Sequence, residues 1–140
     1  MKILYVEDND DNVYVVRQRL TRAGFTVLVA ADGAHGIALA TAEQPDLILM
    51  DLSLPILDGW EATRRLKMDE RTRHIPIVAL TGHALAGHAE GARQAGCDSF
   101  VTKPCLPDAL VAEIHRMLSI QSAEGLPGRP PRTTTRTKQS

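Results

Sequence analysis

Five short apolar runs, each followed by a stretch with helical spacing, constrain this chain more than any other feature. The runs are Ile3-Leu4-Tyr5-Val6, Phe25 to Ala30, Leu47-Ile48-Leu49-Met50, Ile77 to Leu80 and Phe100-Val101. Each is continuous rather than alternating, as in strands buried on both faces, and such strands belong to parallel sheets covered by helices. Between and after them lie segments with helical character: Asn12 to Ala23, Ala34 to Glu43, Trp60 to Met68, Ala84 to Ala95 and Leu106 to Leu118. In the first, Val13, Val16, Leu20 and Ala23 recur at the spacing of one helix face. Gly24 and Gly96 stand where helices end, and Pro45 stops the second. Right-handed crossovers turn this order into a doubly wound α/β sheet. Ligands of such sheets bind beyond the carboxyl ends of the strands.

Composition agrees with one globular domain. Of 140 residues, 44% are hydrophobic and 24% charged, enough apolar surface to build a core. A formal net charge of −1 argues against a protein held to nucleic acid by a broad positive field. No apolar run approaches the roughly 20 residues of a membrane-spanning helix. The chain starts directly in strand-like sequence, so secretion is not expected. Cys97 and Cys105 fit neither a redox pair nor a four-ligand zinc site, and read as reduced thiols of a cytoplasmic protein. From Ser119 the sequence turns polar and Pro-rich. Arg129, Arg132, Arg136 and Lys138 stand there against Glu124, leaving 12 basic and 16 acidic groups in the first 118 residues. The expected division is a folded domain over 1–118 and a disordered basic tail over 119–140, which cannot offset its ordering entropy by burial.

The strand ends carry the chemistry. Strand one runs into Glu7-Asp8, strand three ends at Asp51, strand four at Thr81, and strand five leads to Lys103-Pro104. A parallel sheet brings all of them to one rim. Carboxylates so crowded repel one another unless a cation is present. Oxygen donors with room for water suit Mg²⁺, and a lysine aimed at the same place can hold a phosphoryl oxygen.

In these residues the chain resembles the receiver domain of two-component response regulators. The resemblance spans Met1 to about Leu118. It is carried by Glu7-Asp8, by LILMD ending in Asp51, by LPILDG from Leu54 to Gly59, by ALTG with Thr81, and by FVTKP with Phe100, Lys103 and Pro104. It implies a flavodoxin-like (βα)5 fold with strand order 2-1-3-4-5. It also implies a phosphoacceptor switch rather than an enzyme acting on a separate substrate. Asp51 would take a phosphoryl group from a phosphohistidine. Asp8, Asp51 and the backbone carbonyl of Ser53 would bind Mg²⁺ directly, with Glu7 acting through water. Lys103 and Thr81 would hold the phosphoryl oxygens. Thr81 and Phe100 would move together and alter the surface formed by the helix at 84–95, strand five and the last helix. The Lys103-Pro104 bond would be cis. Ser53 and His83, two residues beyond Asp51 and Thr81, occupy the positions that tune dephosphorylation in this family. His83 reads either as a proton shuttle or as a solvent-facing imidazole.

Phe100 stands where tyrosine is frequent in the family, and Cys105 where a bulky apolar residue is usual. The implied partners are a histidine kinase or histidine phosphotransfer protein and a downstream target protein. Neither direct nucleic-acid binding nor membrane association is expected, and the chain would be a monomer or a phosphorylation-dependent homodimer. It would act as a single-domain regulator or pass phosphate onward, because a 22-residue polar tail holds no DNA-binding module. A competing class is a Mg²⁺-dependent aspartyl-phosphate phosphatase or phosphotransferase acting on small molecules. That chemistry wants an acid two residues after the nucleophile, where this chain has Ser53.

Overall fold

A computed structural model describes residues 1–52, 59–81, 96–102 and 107–124. In chain order these form β1 (Lys2–Val6), α1 (Asp10–Arg22), β2 (Thr26–Ala30), α2 (Gly33–Glu43), β3 (Leu47–Asp51), α3 (Gly59–Met68), β4 (Ile77–Thr81), β5 (Ser99–Thr102) and α4 (Pro107–Glu124). The strands make one parallel sheet in the order β2-β1-β3-β4-β5. That is the expected flavodoxin-like order, with the chain reversing direction across the sheet after β2. The expected helix at 84–95 lies outside the described residues, as does 125–140.

The continuous apolar runs serve two cores at once, because alternate residues of a strand point to opposite faces. On one face Ile3 and Tyr5 of β1, Leu47 and Leu49 of β3, and Val78 and Leu80 of β4 pack with Val16 and Leu20 of α1. Leu110, Ile114 and Met117 of α4 close this side. On the other face Leu4, Val6, Ile48, Met50 and Ile77 meet Ala40 of α2 and Ala62 and Leu66 of α3. Each large apolar side chain removed from water this way contributes about 1.5–3 kcal/mol. The central strand β3 is buried along its whole length, so its last residue, Asp51, is held by a rigid frame.

Helix ends explain where observed bounds depart from those read in the sequence. α1 begins at Asp10, two residues before the expected start, because the Asn9 side chain accepts a hydrogen bond from the Asn12 backbone N–H at 2.9 Å. That cap allows Asp10 and Asp11 to occupy the first turn, where the helix dipole favours acids. α4 runs to Glu124, six residues past the expected end at Leu118. Arg19 of α1 pairs with Asp108 in the first turn of α4 at 2.6 Å, beside the core both helices share. At the opposite end of the sheet, Asp98 accepts from the Ile77 backbone N–H at 2.8 Å and pairs with Lys67 of α3 at 2.9 Å. Among the described residues, no helix is long and apolar enough to cross a membrane.

Candidate functional site

Register brings the acids together. Val6 of β1 lies opposite Met50 of β3, so Glu7 follows at the level of Asp51, with Asp8 one residue further on. The nearest carboxylate oxygens of Glu7, Asp8 and Asp51 all lie within 4.8 Å of one another. Glu7 and Asp51 are buried, at 2% and 3% exposure, whereas Asp8 opens to solvent. Both buried acids stand on the rim of the sheet between α1 and α3, where the apolar runs give out.

Glu7 is fixed through both oxygens. The Tyr5 hydroxyl donates to its Oε1 at 3.1 Å, and the Asn9 backbone N–H donates to Oε2 at 3.3 Å. Its own N–H donates to the Ala30 carbonyl at 2.9 Å, extending the β1–β2 ladder beyond β1. Asp51 is held from its backbone: the Leu52 N–H bonds the Leu80 carbonyl at 3.1 Å, and Gly59 presses on it from α3. A Cβ at Gly59 would lie 2.1 Å from the Asp51 carbonyl oxygen and 2.7 Å from the Leu52 Cα. Only glycine permits that approach, so the start of α3 and the acid at the end of β3 sit against each other.

Further along the rim, Asp51 is in register with Leu80, and Thr81, the last residue of β4, with Thr102 of β5. Thr81 is thus placed by its backbone one residue beyond the level of Asp51. Phe100 of β5 lies opposite Ala79 and is half-buried, packing with Trp60 and Cys97 around Leu52 and Ala79. Burial pushes the Cys97 thiol up to about 11, which keeps it protonated at neutral pH. On the neighbouring surface the Ser99 hydroxyl donates to Glu113 of α4. Arg116 bonds the same carboxylate at 2.6 Å and holds it below the usual carboxylate range. Ser53, His83, Lys103, Pro104 and Cys105 lie outside the described residues.

The acid cluster has the chemistry of a small, hard cation site. An octahedral Mg²⁺ with oxygens at about 2.1 Å places opposite ligands about 4.2 Å apart, so carboxylate oxygens within 4.8 Å of one another are close enough to surround one such ion, part of them directly and part through water. Among the described residues the donors are all oxygens, with no nitrogen or sulfur to favour a softer metal. The exposure of Asp8 leaves room for water and a phosphoryl oxygen, which Mg²⁺ keeps among its ligands.

The structure brings Glu7, Asp8 and Asp51, the acids expected at the strand ends, to one rim. The apolar run Ile3 to Val6 marks Tyr5 only as part of a strand, and the sequence assigns no role to Gly59. The signal for Tyr5 is its spacing, since residues i and i+2 of a strand share a face.

Comparison with known proteins agrees with this geometry. The response regulator receiver domain family matches residues 3–115. The polar-differentiation response regulator DivK of Brucella ovis is 40% identical over 102 residues, covering 73% of this chain and 83% of DivK. The receiver domain of the sensor histidine kinase PA1611 from Pseudomonas aeruginosa is 39% identical, with a TM-score of 0.79 over 84% of this chain and 97% of that one. Its crystal structure has a magnesium ion coordinated in the active-site cleft. A CheY-like receiver domain protein from Methanospirillum hungatei superimposes with a TM-score of 0.82 at 28% identity, over 89% of this chain and 98% of that one. With this sheet order, this acidic rim and these relatives, the chain belongs to the response regulator receiver domain family.

Proposed function

We propose that this receiver domain accepts a phosphoryl group on Asp51 from a phosphohistidine of a histidine kinase or histidine phosphotransfer protein. The observation that carries the reading is the meeting of buried Asp51 with Glu7 and solvent-open Asp8 at the carboxyl rim of the sheet. A carboxylate oxygen of Asp51 forms the new O–P bond as the P–N bond breaks. The electron pair of that bond stays on the histidine ring, which leaves as neutral imidazole when its other nitrogen carries a proton. Positioning and charge stabilisation account for most of the catalysis in such transfers. Asp51 and Asp8 would hold Mg²⁺ directly, together with the Ser53 carbonyl, and Glu7 through water. When bound, the ion neutralises charge on the phosphoryl oxygens. Lys103 would pair with the same oxygens and Thr81 would hydrogen-bond them. Ser53 and His83 would set how fast water removes the phosphoryl group.

Wild-type protein incubated with acetyl phosphate and Mg²⁺ tests the acceptor chemistry. It is expected to gain the mass of one phosphoryl group, and to gain nothing when EDTA replaces Mg²⁺. Absence of the gain in the presence of Mg²⁺ counts against the reading.

The metal ligands are ranked by their exposure and reach. Asp8→Ala removes a direct ligand and is expected to weaken Mg²⁺ binding by about 100-fold, whereas Glu7→Ala costs about tenfold because its contact runs through water. A Mg²⁺ titration followed by Trp60 fluorescence or amide shifts separates them. Equal or reversed losses contradict this assignment.

The signal would leave the site through Thr81 and Phe100 toward β5 and α4, where a downstream target protein reads it. A ligand shifts an equilibrium only through its differential affinity for two states, and the Thr81 hydroxyl supplies part of that difference. Thr81→Ala is therefore expected to accept phosphate, yet to show a diminished shift of the Phe100, β5 and α4 amides on adding beryllofluoride and Mg²⁺. If Thr81 only caps the helix expected at 84–95, the substitution costs about 1 kcal/mol and the shift pattern stays that of wild type.

A further inference from the structure

The face of β1 that supplies the core carries one polar atom toward the site. Tyr5 is 2% exposed and sits among Ile3, Leu49 and Leu80, where a phenylalanine would fill the ring volume equally well. A tyrosine hydroxyl in such surroundings costs free energy unless it is hydrogen-bonded. Here it donates to Glu7 Oε1 at 3.1 Å while the Asn9 backbone N–H donates to Oε2 at 3.3 Å. The two contacts hold the two oxygens of the carboxylate, one from the strand and one from the residue that caps α1. The length of the glutamate matters. Tyr5 and Glu7 are two residues apart on one face, and an aspartate would hold its carboxylate about 1.5 Å closer to the backbone, withdrawing it from the hydroxyl.

We infer that Tyr5 is a positioning residue for Glu7: its hydroxyl holds the buried carboxylate at the rim, oriented toward a divalent cation and the cation's waters. This rests on the Mg²⁺ site proposed above. A hydrogen bond to a charged acceptor is stronger than one between neutral groups, and it selects one carboxylate orientation from those the side-chain torsions allow. Without it Glu7 keeps its place in the chain but loses this restraint on Oε1. Tyr5 touches no reacting atom in this scheme, and its hydroxyl acts on the cation through Glu7.

The experiment is a double-variant cycle on the full chain, read as the Mg²⁺ dissociation constant by titration of amide shifts. Tyr5→Phe is expected to weaken Mg²⁺ roughly three- to tenfold in the wild-type background, and less than about twofold in the Glu7→Ala background, which leaves the hydroxyl no carboxylate to hold. Glu7→Asp, too short to reach the hydroxyl, is expected to be equally insensitive to Tyr5→Phe. A merely structural role for the hydroxyl predicts the same fold-change in all three backgrounds and overturns the inference, as does an unchanged or tighter constant for Tyr5→Phe alone. Should wild type bind Mg²⁺ and lose it on Asp8→Ala while Tyr5→Phe changes nothing, the positioning role fails and the metal site stands. A wild-type chain that binds no Mg²⁺ overturns both.

Discussion

Asp51→Asn is expected to take up no phosphoryl group from acetyl phosphate and Mg²⁺, while keeping the folded amide spectrum of the wild type. The amide is nearly the size of the carboxylate it replaces, so the neighbouring backbone has no reason to move, and the Leu52–Leu80 hydrogen bond beside it is made by main-chain atoms. What disappears is the proposed nucleophile. An amide oxygen carries no negative charge to offer phosphorus, and the cluster with Glu7 and Asp8 loses one of its three charges. Mg²⁺ binding is therefore expected to weaken as well, which a titration monitored by Trp60 fluorescence reads independently of phosphorylation. Phosphate-affinity electrophoresis and intact mass check the main outcome. A variant that gains the phosphoryl mass at the wild-type rate places the acceptor elsewhere, and peptide mapping would then identify it.

The acids at the rim were legible because parallel topology makes strand ends equivalent. Once Leu47 to Met50 and Ile3 to Val6 are read as neighbouring buried strands, the polar residues that terminate them must emerge on the same side of the sheet. No knowledge of side-chain geometry is required for that step. Local ends were read less well. Asn9 caps α1 through one side-chain contact, which lies outside the apolar periodicity that marks the body of a helix. The run of α4 to Glu124 was missed for a related reason. Polar composition after Ser119 suggested a tail, yet a helix already nucleated propagates through its own backbone bonds, and residues such as Gln121, Ala123 and Glu124 favour it.

Two contributions to the site depend on distances that apolar patterning does not report. Tyr5 belongs to an apolar run and its ring behaves as one; the i, i+2 spacing puts it on the face of Glu7, but the contact of its hydroxyl with Glu7 is set by the built strand. Gly59 closes the stretch LPILDG, where a glycine after an aspartate reads as a turn. Its structural demand is different, because it arises from the approach of α3 to the end of β3.

That demand makes Gly59→Ala the most disruptive of the Gly→Ala changes expected among the described residues. The new Cβ would stand 2.1 Å from the Asp51 carbonyl oxygen and 2.7 Å from the Leu52 Cα, and both are backbone atoms that cannot rotate away. Either α3 retreats, opening the packing of Ala62 and Leu66 against Ile48 and Met50, or the end of β3 shifts and carries Asp51 with it. Overpacking a core commonly costs about 1–3 kcal/mol, and the expectation for Gly59→Ala lies at the upper end of that range. Gly36→Ala provides the contrast. Its Cβ would meet the Val6 Cγ2 at 2.9 Å, a milder overlap with a side-chain atom rather than with backbone, so its cost is expected to be smaller. Urea unfolding of the two variants, compared at equal slope, measures that difference. Phosphorylation separates the two ways of relieving the clash. If β3 yields, Gly59→Ala is expected to accept phosphate from acetyl phosphate more slowly even at temperatures where it is fully folded, because Asp51, the proposed acceptor, has moved relative to Glu7 and Asp8. If α3 yields, the rate stays near wild type and only stability falls. A Gly59→Ala chain with both wild-type stability and wild-type phosphorylation would show that the contact between α3 and Asp51 does not constrain the site.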